Sequence, residues 1–179
     1  MRKKAQTFTQ DLVVAIIIMS MVLIVFFEFY TNQDFNGDSA EKTLLSETKT
    51  ITDYLVSPGY PSDWNATDVV NIGIVDENNV IDKTKLEIFS NMTRDDYDRT
   101  RSLLKTKYDY IIFFKDYDGN VINVSGSGSY FGKPGVNDTN LDMLESPSHI
   151  SKISRFVVLR EGASSRIIEM VTYGFSKEK

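Results

Sequence analysis

Tyr108-Asp109-Tyr110-Ile111-Ile112-Phe113-Phe114, then Asp118-Gly119, then Val121-Ile122-Asn123-Val124 is the passage on which the fold turns. Aromatic and β-branched residues suit a pleated, half-buried surface. Asp-Gly between two such runs supplies the backbone freedom that a tight turn needs, so the passage predicts an antiparallel hairpin. A second hairpin is expected from Arg155-Phe156-Val157-Val158-Leu159 and the run Ile167 to Tyr173, joined through Glu161-Gly162-Ala163-Ser164-Ser165. Between the two hairpins, the Gly-, Ser- and Asn-rich stretch from Gly126 to Pro147 reads as a surface loop.

Upstream the periodicity changes. Leu44, Leu45, Thr48, Ile51 and Leu55 fall at helical spacing on one face, and Ser57-Pro58-Gly59-Tyr60-Pro61 ends that helix. Val69 to Val75 is a short apolar stretch, either a small strand or an irregular core segment, followed by turn-forming Asp76-Glu77-Asn78-Asn79. Asp82 to Phe89 and Arg94 to Lys105 read as two short helices. Helices first and antiparallel strands last imply an α+β domain with a sheet of about four strands.

The amino-terminal end has a different character. No charge occurs from Leu12 to Phe27, and the apolar character continues through Phe29 and Tyr30. Nineteen residues from Leu12 to Tyr30, at about 1.5 Å each, reach roughly 28 Å, close to the approximately 30 Å hydrocarbon layer of a bilayer. Arg2, Lys3 and Lys4 lie before the run, and Glu28, Asp34, Asp38 and Glu41 after it. This asymmetry predicts a single-pass protein of the cell membrane, with its amino terminus cytoplasmic and its carboxy-terminal domain extracellular. The expected divisions are a basic tail at 1–5, a transmembrane helix at 6–30, a helical stem at 31–57 and a head at 58–179.

The junction Lys3-Lys4-Ala5-Gln6 resembles the class III signal peptides of archaeal type IV pilin-like proteins, in which Lys-Lys-Gly-Gln precedes the apolar helix; Ala5 stands where that family usually has glycine. Tyr60-Pro61-Ser62-Asp63-Trp64-Asn65, Ile72-Gly73-Ile74, Lys85-Leu86-Glu87 and Ser102-Leu103-Leu104 before Tyr108-Asp109-Tyr110 are similar to elements of uncharacterised pilin-like membrane proteins. The resemblance implies a prepilin peptidase that cuts before Gln6. It also implies a long transmembrane and stem helix packed on the antiparallel sheet, and a subunit, of the minor pilin or pseudopilin kind, that assembles through its apolar helix. Asp11 admits two readings. It pairs with the new amino terminus of a neighbouring subunit, as the resemblance implies, or it caps the helix start, where a negative charge suits the dipole.

Composition narrows the function classes. Apart from Arg2, Lys3, Lys4, Asp11 and Glu28, the chain holds 17 basic and 23 acidic residues with no basic cluster, which argues against a nucleic-acid partner. There is no cysteine, so disulfides, thiolate nucleophiles and cysteine metal sites are excluded. His149 is the only histidine and has no catalytic motif around it. Asp95, Asp96 and Asp98 sit where negative charge stabilises a helix start. The glycine-rich run from Gly126 to Pro134 lacks phosphate-loop spacing, and Asp116-x-Asp118-x-Asn120 reads as a turn in preference to a calcium loop. No enzyme activity, cofactor or metal is expected. Asn65, Asn91, Asn123 and Asn137 each open an N-x-Ser/Thr sequon, with Asn137 the best placed and Asn123 the poorest. The resemblance implies as function a structural, pilin-like cell-surface subunit that assembles through its amino-terminal apolar helix and whose exterior head serves adhesion or surface contact. Its expected partners are the lipid bilayer, other pilin-like subunits, a prepilin peptidase and a surface glycan. The alternative is a membrane-anchored binding or sensory module that never polymerises.

Overall fold

The computed structural model describes residues 2–35, 39–124, 126, 128–141 and 147–177, the side chains of residues 2–11, 29–35, 147–148 and 177 excepted. The chain divides into two compact units, Met1–Ser39 and Ala40–Lys179.

The first unit is the helix α1 (Arg2–Phe35). The expected transmembrane stem is overturned: among the described residues, no helix is long and apolar enough to cross a membrane. The charge-free run at 12–27 is 16 residues, about 24 Å of helix against roughly 30 Å of hydrocarbon. Reaching nineteen residues required Phe29 and Tyr30, which lie beyond the charge of Glu28 and whose side chains are outside the described residues. The single-pass assignment, and with it the cell-membrane location with a cytoplasmic amino terminus and an extracellular head, is corrected on the same ground. Residues 36–38, within the helical stem expected at 31–57, lie outside the described residues.

The second unit is α+β, with helices α2 (Ser39–Leu55), α3 (Lys83–Asp95) and α4 (Tyr97–Leu103), and strands β1 (Asp109–Lys115), β2 (Val121–Ile122), β3 (Tyr130–Gly132), β4 (Pro147–Glu161) and β5 (Ser164–Lys177). The sheet is antiparallel with five strands, one more than expected, in the order β2-β1-β5-β4, with β3 also paired to β1. Strands β2 and β3 share one edge of β1: Ile122 pairs with Phe114, and Phe131 with Ile112. Strand β3 lies inside the stretch expected to be loop. Its backbone is admitted by Gly132, at φ 137°, where an added Cβ would stand 2.3 Å from the carbonyl oxygen of Tyr110. The same correction applies to the start of β4, which begins at the end of that stretch.

Helix α2 buries Leu44, Thr48, Ile51, Thr52 and Leu55, while Leu45, about 100° around the helix from Leu44, is exposed. Two buried positions are threonines, whose hydroxyls donate to carbonyls one turn back, Thr48 to Leu44 and Thr52 to Thr48, each at 2.7 Å. Small, internally satisfied side chains let the helix approach the sheet closely. A Cβ at Gly174 on β5 would stand 2.1 Å from Thr48 Oγ1 and 3.3 Å from Leu44 Cδ1. Helices α3 and α4 meet at Asp96, so the expected helix start at Arg94 is corrected: Arg94 belongs to the last turn of α3, and Asp96 caps α4 by accepting from Arg99 N at 3.0 Å. Asp82 caps α3 by accepting from the amides of Thr84 and Lys85.

Both faces of β1 are covered. Tyr110, Ile112 and Phe114 pack with Leu55, Leu86, Phe89, Phe131 and Met170 on the helix side. Ile111 and Phe113 pack with Val136, Leu141, Val171 and Phe175 on the other. The segment 69–81 is irregular, with single bridges Tyr60–Asn71, Val75–Ile81 and Val80–Val158, and its Val69, Ile72, Ile74 and Val75 are core residues. It shields part of the β4 edge: Val158 N donates to Asn79 O and Ile81 N to Val158 O, both at 2.9 Å.

The contact at Gly174 predicts that Gly174→Ala lowers stability by about 1–3 kcal/mol through overpacking. Thr48→Ala in the same chain, by removing the hydroxyl that the new methyl meets first, is expected to recover part of that loss. A double-mutant cycle by urea unfolding reads the coupling; additive effects would contradict the contact.

Candidate functional site

Two regions hold the residues singled out from the sequence: the apolar helix and the surface of the α+β unit. In α1, Leu12, Val13, Val14, the isoleucines 16–18, Val22, Leu23, Ile24, Val25, Phe26 and Phe27 are all between 45% and 65% exposed, so the apolar surface runs around the whole circumference. Ser20, the one polar residue of the run, donates to Ile16 O at 2.8 Å and presents no unmet donor to an apolar neighbour. The junction Lys3-Lys4-Ala5-Gln6 and Asp11 have side chains outside the described residues.

The structure sorts the four sequons. Asn65 and Asn137 share one geometry: the amide oxygen accepts from the backbone N–H and from the hydroxyl of the threonine two residues on, at 2.9 and 2.6 Å for Thr67 and at 3.0 and 2.7 Å for Thr139. That arrangement leaves the Asn Nδ2, the atom a glycan would occupy, out of the turn. Asn91 is different, because it lies within α3 and its Thr93 is buried and donates to Phe89 O at 2.8 Å. Asn123, the poorest placed of the four by sequence, is exposed just past the end of β2, where its side chain accepts from Gly126 N at 2.7 Å. Its Ser125 is outside the described residues.

The remaining polar residues are drawn together around the start of β1. The Asp109 carboxylate receives Lys133 Nζ and the Tyr97 hydroxyl, the latter at 3.2 Å, with Arg101 Nη1 at 3.9 Å. Tyr110 N donates to Tyr97 Oη at 3.0 Å, and Tyr110 OH donates to Thr100 Oγ1 at 2.8 Å. Burial pushes the Tyr97 hydroxyl far above the ordinary phenol range and that of Tyr110 up to about 12. Tyr130 is also pushed up to about 12, by burial and by the Asp138 carboxylate that accepts its hydrogen bond at 2.6 Å. These phenols are protonated donors at neutral pH. They tie α4 and the Lys133 segment to the sheet and leave no activated nucleophile or base among them.

Lys133, the lysine of the glycine-rich run, is thus occupied by Asp109 and lies over the Phe175 ring. The cavity of about 280 Å3 between α3 and residues 130–136 is walled by groups already engaged, Lys133 by Asp109 and the Thr93 hydroxyl by Phe89 O. Asp116 accepts from Asn120 N at 2.8 Å within the β1–β2 turn, and that hydrogen bond holds its carboxyl below the usual range. Among the described residues, no group of three His, Cys, Asp or Glu could hold a metal ion. Trp64 is a core anchor, buried with its Nε1 donating to Gly73 O at 2.9 Å.

Two outcomes follow. Between pH 10 and about 12 the unfolded chain releases phenol protons that Tyr110 and Tyr130 retain when folded. The stability carried by those protons is whole below pH 10 and is lost as pH rises towards 12. The last part of the phenol absorbance change at 295 nm should therefore coincide with the loss of far-ultraviolet circular dichroism, and a complete phenol titration near pH 10 with the fold intact would contradict it. In a host that glycosylates N-x-Ser/Thr, glycopeptide mass spectrometry should find Asn65 and Asn137 occupied and Asn91 bare; occupancy of Asn91 would show that α3 opens around Thr93.

No family model, no characterised protein and no solved structure matches this chain.

Proposed function

We propose that the chain is a structural subunit of the pilin-like kind, which assembles with like subunits through α1 and carries the α+β unit as a displayed head. The observation that supports this reading is the apolar circumference of α1 at residues 12–27. A helix that is apolar all round belongs in a buried environment, and a contiguous apolar surface of this kind marks an interaction site. Burying each large aliphatic or aromatic side chain is worth about 1.5–3 kcal/mol. A bundle of identical helices covers every face at once, whereas a single groove in another protein covers only one. The Lys3 to Gln6 junction and Asp11 add to the reading: removal of residues 1–5 would discard the basic tail and leave a free amino group about a turn and a half before Asp11. A carboxylate and an ammonium from neighbouring copies would then offset each other's cost among apolar helices.

Sedimentation of the purified full chain tests this. The unaltered chain should sediment as large assemblies, and Ile17→Lys with Ile24→Lys, a charge pair on one face of α1, should reduce it to a monomer with an unchanged head by circular dichroism. The mature amino terminus, read by mass spectrometry in the native source, should be Gln6, and a bulky residue in place of Ala5 should abolish both processing and assembly. A monomeric unaltered chain, or assemblies indifferent to the two lysines, would sink the proposal.

A further inference from the structure

We infer that the free edge of β4 pairs with the same edge of a second copy of this chain, antiparallel and about a two-fold axis at Ile153. Strand β4 lies last in the sheet, paired to β5 on one side. Val158 turns its N–H and its carbonyl to the other side, where they meet Asn79 and Ile81, and Phe156 O accepts there from Asn79 Nδ2 at 3.0 Å. The pairing with β5 is regular from His149 onward. By the alternation of an antiparallel ladder, Ile150, Lys152, Ser154 and Phe156 therefore turn their backbone groups the same way as Val158. Among the described residues, no backbone group meets the outward N–H of these four or the outward carbonyls of Ile150, Lys152 and Ser154. Ser154 O takes its neighbour's Arg155 Nη1 at 3.3 Å, which leaves it a second lone pair. An open edge of this kind is a template for another strand.

The occupant follows from where the open stretch begins and ends. It begins at the bulge between Pro147 and His149 and ends where Asn79 and Ile81 cover Val158, so its middle is Ile153. A two-fold axis there sets Ile150 opposite Phe156 of the second copy, Lys152 opposite Ser154, Ser151 opposite Arg155, and Ile153 opposite its own twin. The neighbouring registers fail. Sliding two residues one way opposes Lys152 to the Lys152 of the second copy, and like charges directly opposite are destabilising. Sliding two residues the other way carries Ile150 to Val158, a place already held by Asn79 and Ile81. A slide of one residue sets outward-turned groups against groups turned to β5.

Side chains agree with that register. Phe156 is 70% exposed and Ile150 38%; they lie on the same face, and the pairing places each on the other. Lys152 Nζ lies 5.9 Å over the Tyr173 ring of its own sheet, and Arg155 Nη2 donates to Asp53 Oδ1 at 3.0 Å, so neither cation is set against another. Lys152 thus guards the edge against one register and admits the next. Every residue named belongs to the second unit, and the inference stands independently of how α1 assembles. One strand against one strand is a small contact, of the class below about 1,200 Å2 whose complexes are transient. Dilute sedimentation sees a monomer, and covalent trapping reads the pair.

The chain has no cysteine, so Ile153→Cys introduces a single thiol. At a non-hydrogen-bonded antiparallel pair the Cα atoms stand about 4.5 Å apart, within the roughly 4.4–6.8 Å that a disulfide spans. The test uses the full chain carrying Ile17→Lys and Ile24→Lys as well, so that α1 does not crowd the copies together. Mild oxidation of Ile153→Cys should give a disulfide-linked dimer on a non-reducing gel about tenfold or more faster than Arg160→Cys, which lies on the same strand past the open stretch; each rate is normalised to that thiol's reaction with a small disulfide. Ser154→Pro removes an N–H turned away from β5, which an edge strand tolerates, and should slow the Ile153→Cys dimer about tenfold. Where circular dichroism shows that this proline unfolds the chain, Phe156→Lys, at an exposed position, takes its place and should slow the dimer likewise. Equal normalised rates for the two thiols, or a rate undiminished by the substitution that leaves the fold intact, overturns the pairing.

Discussion

Strand β1 carries apolar side chains on both faces, and neither face can be left in water. Tyr110, Ile112 and Phe114 point to one side and Ile111 and Phe113 to the other, all buried. The first set is met by α2, α3 and α4; the second is met by Val136 and Leu141 from the segment that follows β3. The long β4–β5 hairpin supplies one lateral neighbour of β1, and the short β2 and β3 share the other. A strand so enclosed must have its amides and carbonyls paired along both edges, which is why a three-residue strand is recruited from glycine-rich sequence.

The same enclosure explains the polar residues around Asp109. At the point where α4, β1 and the Lys133 segment converge, even a half-buried carboxylate loses part of its hydration and needs donors in its place. Lys133, Tyr97 and Arg101 surround it, and Tyr110 and Thr100 continue the network inward. The residues that look chemically promising in isolation, a lysine in a glycine-rich run and a cluster of tyrosines, are thereby consumed in holding elements together.

The two units present opposite physical situations. In Ala40–Lys179 most of the large apolar residues form a buried core, and the sheet edge at β4 is partly shielded by residues 79–81 and guarded by the exposed Lys152. In Met1–Ser39 the large apolar side chains of 12–27 stay 45% to 65% exposed.

Local physics was readable in advance wherever a residue's own neighbours set its conformation. The alternation of Tyr110 to Phe114, the Asp118-Gly119 turn, the Leu44–Leu55 stripe and the sequon spacings all depend on contacts a few residues apart, and the sequence by itself determined them. It also determined that residues 12–27 form an apolar helix, though the inference of a membrane span from that run went further than its length allows. What only the tertiary structure decided was which side chains meet across the chain. Gly132 admits β3 because the Tyr110 carbonyl lies beneath it, and Gly174 receives Thr48; Lys133 is spent on Asp109, Thr93 is buried beside its sequon, and Asn71 Oδ1 is left without a donor. None of these has a periodicity or a motif, since each is a contact between segments brought together by packing, and packing is a property of the whole core.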